Sequence, residues 1–208
     1  TPLSAAMLYG ANLSNEKLTY VSRESFQEKL MSRLHDLEQQ VNDMLLFAKS
    51  GKQQVVEPLS LNELVSDAVQ AMDALAQKGQ ANIRLNKCCD DCRILANKNA
   101  LTGAIQNLIH NSLQIIPQNA EIFIETQCKT DQALIHVRDN GQGIPTELAD
   151  KIFEPFYTSR AQGTGLGLAV VKSVANAHHG QVSLLSKPGE GAHFCIRLPL
   201  FTEEQITE

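Results

Sequence analysis

Apolar positions along the chain change rhythm several times, and each rhythm predicts an element. Phe26, Leu30, Leu34, Leu37, Val41, Met44 and Ala48 follow one another at steps of four, four, three, four, three and four, flanked by charged residues and glutamines. That is close to a heptad seam. Residues 1 to about 50 therefore predict two helices, with a break between Asn12 and Thr19. Two helices joined by a short turn cannot bury such seams alone. The pattern predicts half of a four-helix bundle, completed by a second copy of the chain as a homodimer. The plainer alternative is a helical hairpin packed on its own globular domain.

Ser50-Gly51-Lys52-Gln53-Gln54 ends that pattern, and the expected division is a helical hairpin over 1–52, a linker over 53–59, a second domain over 60–201 and a tail over 202–208. Ser60-Leu61-Asn62-Glu63 has capping-box spacing, so a helix is expected from there to about Gly79. Short β-like runs follow at Asn82–Leu85 and Arg93–Ala96, then a helix over Lys98–Gln114 with Leu101, Ile105, Leu108 and Ile109 on one face. Glu121–Cys128 and Ala133–Asp139 alternate as strands and predict a hairpin across Lys129–Gln132. Beyond a glycine-rich loop and one more helix, Gln181–Ser186 and His193–Leu198 complete a mostly antiparallel sheet. The fold class is α+β, a helical hairpin followed by a two-layer α/β sandwich.

Composition narrows the functions available. The chain has 208 residues, is 43% hydrophobic and carries a net charge of −5 with scattered basic residues, which gives no footprint for nucleic acid or anionic lipid. No apolar run approaches the roughly 18 residues of a membrane span, so no membrane contact is expected from these residues. The five cysteines show no paired spacing, which points to a reducing, cytoplasmic setting. Cys88, Cys89 and Cys92 read either as a zinc-like cluster without a histidine or as a loop between strands.

Three segments could carry chemistry. Gly163-Thr164-Gly165-Leu166-Gly167 opens an apolar helical pattern, and glycine amides at a helix start suit a polyphosphate, although most such runs are turns. Asp139-Asn140-Gly141-Gln142-Gly143-Ile144-Pro145 follows a strand; its carboxylate could accept a hydrogen bond from adenine's exocyclic amine, or the segment could be a plain turn. Asn107 and Asn111 share one helical face, suited to Mg²⁺ or to capping neighbouring loops.

In order and spacing these segments resemble the catalytic domain of two-component sensor histidine kinases, within the Bergerat-fold ATPase superfamily. Asn107–Ser112 looks like the N box, Asp139–Gly143 like the first glycine box, Phe153–Arg160 like the F box and Gly163–Leu168 like the second glycine box. His179-Gly180, Gly189-Glu190-Gly191 and Phe194–Pro199 are similar to the family's usual ending. The resemblance implies ATP and Mg²⁺ as cofactors. It assigns the adenine amine to Asp139, the metal and the catalytic role to Asn111 and Asn107, and the phosphates to Gly163, Gly165 and Gly167, while Gly141 and Gly143 after Asp139 admit the flat ring of the nucleotide. Ile144, Phe156 and Leu166 join the nucleotide-contacting set. Tyr157–Gln162 becomes a short lid, from which Arg160 or Thr164 touches phosphates; a solvated lid charge is the other reading of Arg160.

Family members that hydrolyse ATP carry a glutamate one turn before the metal asparagine. Asn107 stands there and cannot act as a base, so transfer to a protein nucleophile is expected. The family's acceptor motif reads H-E-[LI]-R-T-P-L, and this sequence begins at its Thr1-Pro2-Leu3. These residues are therefore expected to bind ATP–Mg²⁺ without phosphorylating themselves. The resemblance gives Thr1 a role in dephosphorylating a response-regulator receiver domain, the implied partner, but one disabled at a chain end. Of the histidines, His35 and His110 are expected on helix faces, His136 outward on a strand, and His178 and His179 at a helix end facing its dipole. Ala192 and Gln114 depart from the family's usual Thr or Ser and Lys or Arg. Ser4–Tyr9 and Leu34–Ala48 look like polar-flagellar regulatory kinases, which phosphorylate activators of σ54-dependent transcription. The rival implications are an ATP-dependent interaction scaffold and an anti-sigma-type serine kinase.

Overall fold

The computed structural model describes residues 2–14, 18–49, 55–88, 92–116, 118–160, 163–186 and 189–202. Helices α1 (Pro2–Leu13) and α2 (Tyr20–Lys49) form a hairpin, with the Tyr9 and Phe26 rings 6.1 Å apart. At about 1.5 Å per residue, α1 covers roughly 18 Å of the roughly 45 Å length of α2. Phe26, Leu30 and Leu37 are half-buried, whereas Leu34, Val41 and Met44 of the same seam are exposed. The side chains of His35 and Ala48 lie outside the described residues.

Glu57–Ser60, which overlaps the end of the segment expected to be a linker, forms strand β1 and pairs antiparallel with β3 (Arg93–Ala96), Glu57 opposite Ala96. Helix α3 (Leu61–Lys78) follows without a break, and the expected capping box does not form. Ser60 is still part of β1 and makes no side-chain cap bond; the Leu61 N–H donates to the Cys92 carbonyl at 2.8 Å instead.

Strands β2 (Asn82–Asn86), β4 (Glu121–Cys128), β5 (Gln132–Asp139), β6 (Gln181–Leu184) and β7 (His193–Pro199) build one sheet in the order β2-β4-β5-β7-β6. β2 runs parallel to β4; the other neighbours are antiparallel. Helices α3, α4 (Lys98–Ile115) and α5 (Gly167–Ala177) share one core with the inward residues of this sheet. Leu101, Ile105, Leu108 and Ile109 of α4 are fully buried, as expected from their spacing, with Ile122, Ile124, Ile135 and Val137 in the same core. The result is the α+β class and the two-layer sandwich read from the pattern. Asn97 caps α4, its Oδ1 accepting from the Ala100 N–H at 2.9 Å. His178 stands at the end of α5, as expected. It is buried, its Nε2 accepts the Asn97 N–H at 2.9 Å, and its Nδ1 donates to the Val174 carbonyl at 2.7 Å, tying α5 to the start of α4.

On the other face of the sheet His136 points outward, as its register requires, yet is only 8% exposed. Arg138 Nε donates to His193 Nε2 at 3.2 Å, and His136 Nδ1 lies 3.0 Å from that same acceptor, so His136 is the donor between the two rings. Burial, then the Arg138 charge, pushes His193 down from 6.5 to about 4 and lowers His136 in the same order. The unfolded chain takes up protons near 6.5, whereas folded His193 resists until about 4 and folded His136 is shifted in the same direction. Stability is therefore complete above pH 6.5 and declines as pH falls toward 4. Urea unfolding at pH 7 and pH 5 is expected to show this decline, and the double variant His136→Gln, His193→Gln to flatten it; an unchanged slope in the variant would assign the decline elsewhere.

Near the opposite end of β4, Cys92 is 1% exposed, and burial together with neighbouring Cys128 raises its thiol above the ordinary range. Cys89 lies outside the described residues, among which no group of three or more His, Cys, Asp or Glu is placed to hold a metal.

Candidate active site

Period-two geometry delivers Asp139 to the helix side of the sheet, in line with Ala133, Ile135 and Val137. It is 7% exposed. Its Oδ1 accepts the Gly141 and Ala192 backbone N–H groups, each at 2.9 Å, and its Oδ2 accepts the Ser112 hydroxyl of α4 at 2.8 Å. A carboxylate offers about four acceptor positions. Oδ1 is filled by its two donors, so among the described residues one position on Oδ2 stays open. Two glycines make this arrangement possible. Gly191 has φ +78, and a Cβ there would lie 1.8 Å from the Asp139 carbonyl oxygen; a Cβ on Gly141 would lie 3.0 Å from Asp139 Oδ1. Ser112 and Gly191 were named only within family-like motifs and given no site role, although two glycines in Gly189-Glu190-Gly191 are a signal of close backbone approach. Ala192, noted for the hydroxyl it lacks, contributes its N–H.

The asparagine face of α4 lies against the start of α5, the positive end of that helix. A Cβ on Gly167 would be 3.8 Å from Asn111 Nδ2 and 3.9 Å from Asn107 Cγ. Asn107 is 4% exposed and its Nδ2 donates to the Gly167 carbonyl at 3.4 Å. Asn111 Oδ1 accepts from Arg160 Nη2 at 3.0 Å, and Arg160 Nη1 donates to Gln114 Oε1. Arg160 is thus half-buried on α4, not a solvated lid charge, and burial lowers its guanidinium from the ordinary value. His110 Nε2 and Gln114 Nε2 are 3.2 Å apart.

The glycine segments frame this cleft. Gly143 has φ +74, and Ile144 is packed half-buried against the core. Gly165 has φ +67, and a Cβ there would lie 2.4 Å from the Phe156 carbonyl carbon. The Phe156 N–H donates to the Gly165 carbonyl at 3.0 Å while its ring is 70% exposed, so Phe156 joins the site through its backbone. Thr164 Oγ1 accepts the Leu166 N–H at 3.3 Å, and Leu166 is buried. A Cβ on Gly163 would lie 2.5 Å from Thr158 Oγ1. Thr1 lies outside the described residues.

These residues fit the nucleotide and metal that the motifs imply. Asp139 keeps a buried acceptor for one donor, as an adenine amine requires. Of the two asparagines assigned to the metal, Asn111 presents its Oδ1 to a positive charge, the Arg160 guanidinium, and a neutral oxygen of this kind suits a magnesium ion that keeps most of its waters, whereas the Asn107 amide nitrogen is turned to the Gly167 carbonyl.

Residues 96–202 match the family described as Histidine kinase-, DNA gyrase B-, and HSP90-like ATPase. The chain is 36% identical over 202 residues to the sensor protein kinase FleS of Pseudomonas aeruginosa, covering 96% of this chain and 49% of FleS. It therefore spans about half the length of that curated relative. Among solved structures, the catalytic domain of histidine kinase ThkA superposes with a TM-score of 0.65 at 26% identity, over 70% of this chain and 96% of that one. Full-length ShkA in complex with AMPPNP superposes with a TM-score of 0.73 at 25% identity, over 97% of this chain and 46% of that one. With its motifs gathered into one cleft and sensor histidine kinases as its relatives, the chain belongs to the Histidine kinase-, DNA gyrase B-, and HSP90-like ATPase family.

Proposed function

We propose that this chain is the catalytic core of a sensor histidine kinase. It binds ATP with Mg²⁺ and directs the γ-phosphoryl group to a histidine, from which an aspartate in a response-regulator receiver domain takes it. The observation that carries the reading is the open acceptor position on Asp139 Oδ2, buried at the end of β5 and beside Ser112. Asp139 would hold the adenine amine, the Gly141–Ile144 and Gly163–Gly167 segments would admit the rest of the nucleotide, and Asn111 would face the metal. Bound magnesium would supply charge neutralisation for phosphoryl transfer.

Asn107 supports transfer over hydrolysis. A carboxamide cannot take a proton from water, and this one is buried with its nitrogen on the Gly167 carbonyl. The hairpin supports a homodimer. Met7, Leu8, Val41 and Met44 are all more than half exposed in one copy, and a second copy burying them would complete a four-helix bundle. The resemblance of Ser4–Tyr9 and Leu34–Ala48 to polar-flagellar regulatory kinases supports an activator of σ54-dependent transcription as the output, and a cytoplasmic location goes with that reading. No described helix is long and apolar enough to cross a membrane.

Grafting the family's His-Glu-Leu-Arg ahead of Thr1 and incubating with γ-labelled ATP tests the proposal. An acid-labile, base-stable label on the grafted histidine is the expected result. Free phosphate accumulating in its place would make the chain a hydrolase and overturn the reading.

A further inference from the structure

Between Asn99 and Ile116, α4 carries no lysine or arginine. The cation on its site-facing side comes from the lid. Arg160 is placed by a local turn: Thr158 Oγ1 accepts the Arg160 N–H at 3.1 Å, and the Gly163 N–H donates to the Arg160 carbonyl at 3.3 Å. From there its guanidinium spans Gln114 Oε1 and Asn111 Oδ1, which lie three residues apart on one face of α4. The planar, forked guanidinium reaches one oxygen with each of its two terminal nitrogens.

We infer that Gln114 is a positioning residue that seats Arg160 on Asn111, so that the lid's own cation competes with a metal for that amide oxygen. This rests on reading Asn111 as the metal-facing amide. Two positive centres cannot share one amide oxygen at contact distance without strong repulsion. Arg160 therefore has to leave Asn111 before that oxygen can serve magnesium, and its departure frees the Tyr157–Arg160 stretch of the lid from α4. Gln114 is the residue that sets how firmly the lid is held.

Limited trypsin digestion without nucleotide reads the contact directly, because trypsin cuts after arginine. Gln114→Ala is expected to speed cleavage at Arg160 severalfold, and Gln114→Glu, which keeps an acceptor, to restore protection. In calorimetry with a non-hydrolysable ATP analogue, Gln114→Ala is expected to lower the Mg²⁺ concentration for half-maximal binding about fivefold, since the competing cation is released. Unchanged cleavage with an unchanged or raised Mg²⁺ requirement would overturn the inference. Asp139→Asn run alongside separates the two failures. If that variant loses the analogue while Gln114→Ala does nothing, the latch alone is wrong; if it binds like the parent, the nucleotide reading itself has failed.

Discussion

Gly191→Ala is expected to unfold the Asp139 end of the sheet and abolish nucleotide binding, at a cost of about 3–5 kcal/mol in stability. Two effects add. The residue sits at φ +78, a conformation that L side chains resist, and its new Cβ would lie 1.8 Å from the Asp139 carbonyl oxygen and 2.9 Å from its carbonyl carbon. Relief requires moving backbone, because the loop is tied to β5 from both sides: the Asp139 N–H donates to the Ala192 carbonyl at 2.9 Å and the Ala192 N–H to Asp139 Oδ1 at 2.9 Å. Shifting Gly191 therefore drags the carboxylate out of position. Gly189→Ala is the control. It has φ +85 but nothing within 4 Å of its Cβ, so only the backbone term of about 1 kcal/mol applies and nucleotide binding survives. Thermal unfolding and nucleotide titration of both variants check this; equal losses would mean that the contact with Asp139 is unimportant.

The second large effect is on base recognition. In Asp139→Asn the amide oxygen can still accept the Gly141 and Ala192 N–H groups, which places the amide nitrogen where Oδ2 stood. Ser112 can tolerate that exchange, because its hydroxyl also lies 3.3 Å from the Leu108 carbonyl and can donate there while accepting from the new nitrogen. Adenine's amine cannot, since two donors would then face each other in a buried place. The fold is expected to lose about 1–2 kcal/mol and ATP affinity to fall on the order of 100-fold. A loss of stability as large as that of Gly191→Ala would show instead that Asp139 is chiefly structural.

Much of this architecture was legible because it rests on local periodicity. The apolar stripe of α4 and the alternation of β4 and β5 fold as their spacing predicts, with Asp139 at a strand end, and the order of the glycine and asparagine segments marks residues that gather around α4. What escaped depends on neighbours distant in sequence. Strand β1 is four residues, Glu57–Ser60, containing a proline; its strand character comes from β3, more than thirty residues on. The capping-box spacing at Ser60 is genuine, but pairing with β3 takes the residue first. His136 points outward as alternation demands and is buried anyway, beside His193 on a different strand. The bridge from Arg160 to Gln114 joins positions that no spacing rule connects.

The central claim is that one open acceptor on Asp139 reads the amine of adenine. Titrating the chain and its Asp139→Asn variant with ATP and with inosine triphosphate, which differ at that purine position by an amine against an oxygen, tests it most directly. The parent is expected to favour ATP strongly, and the substitution to reverse the preference. Equal affinities for the two nucleotides in the parent, or an unchanged preference for ATP in the variant, would contradict it.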